Sequence, residues 1–413
     1  MSAKKNFHNT LYTNDNLYVL SGMNSESVDL IYLDPPFNTK RMYSAPVGSK
    51  AAGASFKDMW TWKDVDEHYL DSLADNFPVL AKYIASVGTV HSKPMMAYLT
   101  YMAQRVIEMH RVLKETGSLY LHCDPTASHY LKSLLDAVFG KNNFRNEIVW
   151  CYRGGGSSKK DFGRRHDSIF RYSKTSDYVF NADSIRIPYQ AEGLGRTDDA
   201  MWGKHKGTAK VYKPNPLGKV PEDWWAMNIL NANDPERTGY PTQKPLALLK
   251  RIVLASSNEG DTVLDPFCGC ATTCVAAQQL QRKWIGIDLE TTTVDVLIQR
   301  LSDAGRLFRD FVATDKIPKR SDIKEVQKSE SVKQRLYKEQ DGKCNACGHD
   351  FEIWNLEIDH IIPESKGGGN YYENYQLLCG SCNKIKGNRT MEYLRMKIET
   401  RERMMKNKIF FGE

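Results

Sequence analysis

A chain of 413 residues exceeds what one ordinary hydrophobic core supports, so two or three domains are expected. Its 41% hydrophobic and 26% charged content excludes a disordered or fibrous protein, and no run approaches the ~20 apolar residues of a membrane span. The net charge of +7 is uneven: residues 151–220 hold 14 Lys/Arg against 7 Asp/Glu. Glycine and aromatic residues interleave with that charge, which suits a nucleic-acid partner better than a plain solvated face.

Met1-Ser2-Ala3-Lys4-Lys5 leads into polar residues rather than an apolar signal stretch, so a cytoplasmic protein away from membranes is expected. Residues 11–37 read as strand, helix, strand, the second strand being the apolar run Val28-Asp29-Leu30-Ile31-Tyr32-Leu33. Residues 41–93 show little periodicity and predict a long functional loop with short helices. Tyr98, Met102, Val106, Met109 and Leu113 recur at helical spacing, predicting a helix over 94–113 that Lys114-Glu115-Thr116-Gly117 stops. A buried strand over 118–123 ends at Asp124-Pro125, followed by a helix over 127–139 and a strand over 146–152.

Residues 153–235 break this rhythm. It resumes with a helix over 245–257, a strand over 261–264, a helix over 271–280 and a strand over 283–288. A polar linker (315–328) precedes a compact Cys/His-rich unit over about 330–392, and a basic helical tail follows. There is no internal repeat. The alternation predicts an α/β fold with a mainly parallel sheet covered by helices on both faces.

Two of these strands end at a carboxylate and a rigid turn: Asp34-Pro35-Pro36-Phe37, and Asp265-Pro266-Phe267-Cys268-Gly269 after Thr262-Val263-Leu264. Open α/β sheets bind ligands at such carboxyl ends. Strand 283–288 ends in Asp288, placed to hold ribose hydroxyls. A nicotinamide site is disfavoured because the loop lacks G-x-G-x-x-G.

The Asp-Pro-Pro-aromatic turn resembles the catalytic loop of amino-methylating DNA methyltransferases, and the second turn resembles their S-adenosylmethionine (AdoMet) loop. With the catalytic piece first, the order is similar to the permuted β-class, over roughly residues 10–310. The resemblance implies a Rossmann-like AdoMet-dependent methyltransferase sheet with an inserted target-recognition region, AdoMet as cofactor and double-stranded DNA as partner. It divides the chain into a catalytic half (1–152), a target-recognition region (153–235) and an AdoMet-binding half (236–312).

In that scheme Asp34 and the Pro35 carbonyl accept the two N–H bonds of an exocyclic amine and localise its lone pair. Pro35 and Pro36 keep the turn rigid. Phe37 stacks on a base extruded from the duplex. Asp265, Pro266, Phe267 and Gly269 hold AdoMet, with Thr272 and Thr273 opening a helix towards its carboxylate. Asp288 takes the ribose, Asp15 the adenine, and Gln243 and Lys244 border the cofactor. The stretch from His166-Asp167 to Phe180 is similar to a late-sheet strand and base-contacting region. Cys270 and Ala271 stand where the family usually has Ser and Gly, with a modest effect on loop geometry expected. Asp at position 34 favours adenine N6 over cytosine N4, whose enzymes usually carry Ser there. The basic segment 153–220, with Trp202, Trp224 and Trp225 near it, would contact phosphates and recognise the target.

Near the C-terminus, Cys344-x-x-Cys347 and Cys379-x-x-Cys382 have the spacing of a closed tetrahedral thiolate site, predicting structural zinc. The other five cysteines show no ligand spacing. Between the knuckles lie Asp359-His360 in an apolar strand, a glycine turn (367–369) and Asn374; Asn383 follows the second knuckle. This pattern resembles the ββα-metal core of HNH endonucleases. It implies His360 as general base, Asp359 and Asn383 (often His) as ligands for Mg²⁺ or another divalent ion, and Asn374 as a structural brace. The expectation is a DNA methyltransferase fused to an HNH endonuclease over 330–392, possible as a single-chain restriction–modification protein. The alternative is a solitary DNA methyltransferase whose zinc domain only grips DNA. An RNA target fits the same charge and stacking logic.

Overall fold

The computed structural model describes residues 9–37, 41–46, 48–58, 73, 77–154, 159–189, 215–231, 233–303, 311–323, 325–366, 368–391, 393–398 and 400. Trp202, much of the basic stretch and the expected basic tail beyond 400 lie outside these residues. The chain divides into two compact units, one of Met1–Leu11, Val28–Met59 and Leu113–Ala313, the other of Tyr12–Ser27, Trp60–Val112 and Thr314–Glu413.

The strands of the first unit follow from its apolar runs: β1 (Thr10–Thr13), β2 (Val28–Leu33), a hairpin of β3 (Arg41–Ser44) and β4 (Ser55–Asp58), β5 (Leu113–Cys123), β6 (Phe144–Cys151), β7 (His166–Ser173), β8 (Trp224–Ala226), β9 (Thr262–Asp265), β10 (Lys283–Asp288) and β11 (Val312–Thr314). Among the described residues nine of them form one sheet in the order β11-β1-β10-β9-β2-β5-β7-β6-β8. β2 is parallel to both β9 and β5, and β9 is parallel to β10. From β2 the chain proceeds to β5 on one side, and from β9 to β10 on the other. The β2/β9 boundary is therefore the switch point at which such sheets bind ligands.

The sheet is more mixed than expected, because β7 runs antiparallel to β5 and β6. It is buried from Asp167 onward, so the sheet reaches into the region beginning at 153. The tetrapeptide Lys114-Glu115-Thr116-Gly117 also behaves differently. It opens β5 instead of looping, with a register shift opposite Val28/Leu30, while Lys114 Nζ pairs with Asp29 Oδ1 at 2.7 Å. The core gathers Leu30, Tyr32, Trp150, Ile169, Val263 and Trp284 from the sheet with Leu248, Leu249 and Ile252 from a covering helix.

Helices are α1 (Asn16–Gly22), α2 (Pro78–Val90), α3 (Lys93–Val112), α4 (Ser128–Phe139), α5 (Leu246–Ser256), α6 (Thr272–Gln279), α7 (Thr292–Asp303), α8 (Glu330–Glu339) and α9 (Gly380–Lys386). Among the described residues no helix is long and apolar enough to cross a membrane.

In the second unit, Tyr98, Met102, Val106 and Met109 of α3 are fully buried, as their spacing requires. Segment 314–323, polar enough to read as a free linker, is instead bonded to residues 14–25. Ser321 N donates to Asn24 Oδ1 (2.7 Å), Ser25 N to Asp322 Oδ2 (2.9 Å) and Asn14 Nδ2 to the Asp315 carbonyl (2.8 Å). Gly22 is required there, because a Cβ would collide with the Pro318 carbonyl. The C-terminal part is a ββα unit: β12 (Leu356–His360) and β13 (Tyr375–Cys379) pair antiparallel, and α9 follows. Val332 and Leu336 of α8 pack with Leu356, Leu377, Leu378 and Leu394 in its own small core.

Candidate functional site

In the register of β2 with β9, Ile31 lies opposite Leu264. Asp34 and Asp265 therefore end neighbouring parallel strands at one edge of the sheet, although they are far apart in sequence.

Asp34 is the first residue of interest at that edge. Its Oδ2 makes an ion pair with Lys244 Nζ at 2.9 Å. Its Oδ1 is buried without a hydrogen-bond partner among the described residues. A desolvated, unpaired carboxylate oxygen is costly, and it marks a place where a donor is missing. Lys244 Nζ also sits 5.3 Å from the centre of the Phe37 ring. Lys244 thus meets the turn of Asp34 and Phe37 directly.

Behind the turn lies a polar cluster that spacing did not single out. His122, fully buried near the end of β5, has Nδ1 2.9 Å from the Tyr32 hydroxyl and Nε2 3.0 Å from Asp167 Oδ2. The Tyr152 hydroxyl donates to Asp167 Oδ1 at 3.1 Å. Burial pushes the Asp167 carboxyl up, but the hydrogen bond and charge of His122, the charge of Lys244 and the Tyr152 hydroxyl outweigh it and hold the group below the usual carboxylate range. The His122 ring stacks on Phe37 with centroids 6.0 Å apart and meets Trp150 edge-on at 5.4 Å. Phe37 therefore has a fixed backing. The sequence signal was a histidine in the otherwise apolar run Leu119-Tyr120-Leu121-His122-Cys123.

The second loop is held from within. Asp265 Oδ2 accepts from the Thr273 hydroxyl at 2.5 Å and Oδ1 from Phe267 N at 3.1 Å. Burial pushes this carboxyl up to about 7 despite those bonds, with the charges of Asp34 and Asp288 adding to the effect. Asp288 accepts from Gly269 N (2.7 Å) and Glu290 N (2.9 Å), and burial pushes it up to about 6. Gly269 has φ +49°, and a Cβ there would lie 2.9 Å from the Tyr240 ring.

Ala271 is also left-handed (φ 57°), which gives the physical reason for the glycine that related loops carry, and costs about 1 kcal/mol here. Arg300 Nη1 bonds the Cys270 carbonyl (2.8 Å) and the Thr272 hydroxyl (2.7 Å), so both threonine hydroxyls at the start of α6 are engaged within the protein. Pro266 and Phe267 lie in this loop. Gln243 braces the backbone: its Oε1 accepts from Thr238 N (2.8 Å) and its Nε2 donates to the Glu236 carbonyl (2.8 Å). Asp15 lies in the other unit, where it caps α1 through Leu17 N (2.8 Å) and pairs with the buried Arg105 at 2.9 Å.

In the ββα unit, the Sγ atoms of Cys344, Cys347, Cys379 and Cys382 lie within 4.8 Å of one another. Cys379 N donates to Cys344 Sγ at 3.2 Å. Burial raises the Cys344 thiol, yet backbone N–H bonds from Cys347, Cys379 and Ala346 bring it below its ordinary value. Burial and the neighbouring Cys344 push Cys347 up to about 11. Crowded sulfurs of this kind fit a tetrahedral soft cation, which relieves their mutual repulsion.

Cys379 pairs with Leu356 at one end of the hairpin and His360 with Tyr375 at the other. At ~3.4 Å per residue, roughly 14 Å separates the cysteine end from His360. The cysteine site therefore does not serve the histidine.

His360 Nε2 meets Asn370 Oδ1 at 2.8 Å. That oxygen only accepts, so Nε2 is the donating nitrogen, which in a neutral ring leaves the lone pair on Nδ1. Asn374 is 3% exposed and pins the loop after His360: its Oδ1 accepts from Ile362 N (2.8 Å), and its Nδ2 donates to the carbonyls of Ile362 (3.1 Å) and Gly369 (3.0 Å). Asp359 Oδ2 takes the buried Lys386 Nζ at 2.9 Å and Gln376 Nε2 at 2.8 Å. Asn383 Nδ2 donates to Glu357 Oε2 at 2.5 Å. Asp359 and Asn383 each retain one oxygen without a partner among the described residues, the donor type that hard divalent cations take.

One chain thus joins a sheet whose switch point holds a rigid carboxylate turn beside a glycine loop to a ββα hairpin with a four-cysteine cluster. Residues 28–299 match the family model described as DNA methylase, and residues 344–389 match that described as HNH endonuclease. DNA adenine methyltransferase YhdJ of Escherichia coli is 30% identical over 325 residues, covering 77% of this chain and 92% of that protein. Type II methyltransferase M.BglII, from Bacillus subtilis, is 28% identical over 308 residues, covering 73% of this chain and 71% of that one. The solved PvuII cytosine-N4-specific DNA methyltransferase aligns over 75% of this chain and 96% of its own, at 13% identity and a TM-score of 0.45. The chain belongs to the N6/N4 DNA methylase family and carries a C-terminal HNH endonuclease domain.

Proposed function

We propose that this DNA amino-methyltransferase methylates adenine N6 in double-stranded DNA, and that its HNH domain hydrolyses DNA with Mg²⁺ or a similar divalent ion. The observation that carries the methylation reading is Asp34: one oxygen is fixed by Lys244, and the other is buried with no hydrogen-bond partner among the described residues, placed to take an N–H donor. An exocyclic amine is that donor. With the Pro35 carbonyl taking its second N–H, the amine lone pair is turned out of conjugation. AdoMet, when bound, supplies the electrophilic sulfonium methyl. Asp265, Pro266, Phe267, Gly269 and Asp288 form the loop beside it, and Phe37, backed by His122, gives the extruded base a stacking surface. Adenine is favoured by the aspartate at position 34 and by the likeness to an adenine methyltransferase at 30% identity.

In the HNH domain, Nδ1 of His360 would activate water while Asp359 and Asn383 hold the cation. Zinc on the four cysteines would be structural. One observation favours a DNA-gripping domain instead: Lys386 already neutralises Asp359.

The test incubates the purified protein with labelled AdoMet and duplex DNA and identifies the methylated nucleoside by mass spectrometry, with a parallel Mg²⁺ or Mn²⁺ arm scored for strand breaks. Asp34→Ala should lower methyl transfer by about 10²-fold or more. His360→Ala should abolish strand breaks and leave methylation intact. N4-methylcytosine as product would overturn the adenine assignment. Absence of metal-dependent breaks in the parent protein would leave only DNA binding for the HNH domain. Equal cleavage of methylated and unmethylated duplex would remove the single-chain restriction–modification role.

A further inference from the structure

Asp34 and Lys244 present more than a catalytic carboxylate. Oδ1 of Asp34 is a buried acceptor with no partner among the described residues, and Lys244 Nζ lies 2.9 Å from the other oxygen of the same carboxylate. An ammonium carries three N–H bonds, and Oδ2 takes one of them. The pair therefore offers an acceptor and a charged donor side by side, next to the Phe37 ring.

Nucleobases differ in what they show to such a pair. Adenine carries an amine N–H beside the bare ring nitrogen N1, and cytosine an amine N–H beside N3. Guanine and thymine show the reverse, a carbonyl oxygen beside a ring N–H. Against Asp34 and Lys244, the first pattern makes two hydrogen bonds. The second sets oxygen against carboxylate and N–H against ammonium, leaving buried polar groups unpaired, which is where sites of this kind reject most strongly.

We propose that Lys244 is a specificity-determining residue that donates to the ring nitrogen adjacent to the target amine, so that Asp34 and Lys244 together read the amine–imine edge of the extruded base. Lys244 then orients the base about the same edge on which the amine reacts, and its link to Asp34 keeps donor and acceptor at fixed spacing. The inference rests on the DNA amino-methylation reading given above.

The experiment compares duplexes carrying adenine or 1-deazaadenine at the target position. The analogue keeps the amine and replaces N1 by carbon. The measured quantity is the ratio of kcat/KM for the two duplexes, in the wild-type enzyme and in Lys244→Met and Lys244→Gln. A lost charge-assisted hydrogen bond should make the wild-type ratio about 10- to 100-fold larger than that of Lys244→Met. Lys244→Gln, which keeps a neutral donor, should fall between them. Where a variant turns over too slowly, the same ratio is taken from equilibrium duplex binding with S-adenosylhomocysteine present.

A ratio equal in all three proteins overturns the proposal, as does a Lys244→Met effect confined to AdoMet affinity, which would make Lys244 a cofactor residue. If Lys244→Met does not fold, Lys244→Gln decides alone, and an unchanged ratio sinks the idea. If the wild-type product is N4-methylcytosine, 3-deazacytosine replaces the purine analogue with the same criteria. No methylation of any duplex by the wild-type enzyme overturns the functional reading itself, a result distinct from a flat ratio.

Discussion

Replacing Asp265 with asparagine should remove a pH dependence of stability from the methyltransferase unit. The carboxyl is 3% exposed, and burial raises it from 3.8 to about 7 even though a threonine hydroxyl and a backbone N–H bond its charged form. An acid whose folded value lies above its unfolded one is held more tightly protonated in the native state. Its penalty is therefore absent below pH 4, grows as pH rises through the interval from about 4 to 7, and is complete above it. At 1.36 kcal/mol per pH unit the full gap is worth about 4 kcal/mol, of which about 2–3 kcal/mol falls between pH 5 and pH 8. The wild-type unit should lose that amount over this range through Asp265, and Asp265→Asn should not. Asp288, raised to about 6, contributes its own slope in both proteins, which cancels in the comparison apart from its charge coupling to Asp265. Hydrogen exchange of the β9 and β10 amides at pH 5 and pH 8, corrected for intrinsic rates, reads the difference. Parallel pH profiles for the two proteins would refute the reasoning.

Other consequences are simpler to check. Asn374→Ala removes three hydrogen bonds from a buried loop and should destabilise the HNH domain by about 2–4 kcal/mol, seen as a lower unfolding midpoint with methyl transfer unchanged. Elemental analysis should find one zinc per chain. Stripping it with a chelator should unfold the ββα unit, monitored through the emission of exposed Trp354, while methyl transfer persists.

The two reactive turns could be read from sequence because each ends an apolar run, and the cysteine knuckles because thiolate spacing is local. The pairings that shape the site are not local. Lys244 meets Asp34 only because β2 and β9 are neighbours, a fact of strand order that no periodicity carries. His122 and Asp167 meet across an antiparallel β5/β7 pair; the resemblance implied a late-sheet strand at 166–180, but not which strand it lies beside. Gln243 sits beside Lys244 in sequence yet points into its own backbone, a difference of side-chain direction on irregular chain. Similarly, Glu357 could be seen on the strand, but its hold on Asn383 depends on how α9 returns over the hairpin.

The bonded segment at 314–323 changes where the methyltransferase and HNH domains should be cut apart. A fragment ending at 312, the border that the resemblance implies, would strip Asn24, Ser25 and Asn14 of their partners and remove the Pro318 carbonyl that lies against Gly22. Val326, by contrast, already belongs to the HNH domain: its N–H donates to the Asn370 carbonyl at 2.7 Å and its carbonyl accepts from the Tyr375 hydroxyl at 2.7 Å. A cut in the short interval between Asp322 and Val326 therefore keeps these hydrogen bonds on both sides, at the loss of the Arg320 guanidinium's contact with the Tyr371 ring at 5.7 Å.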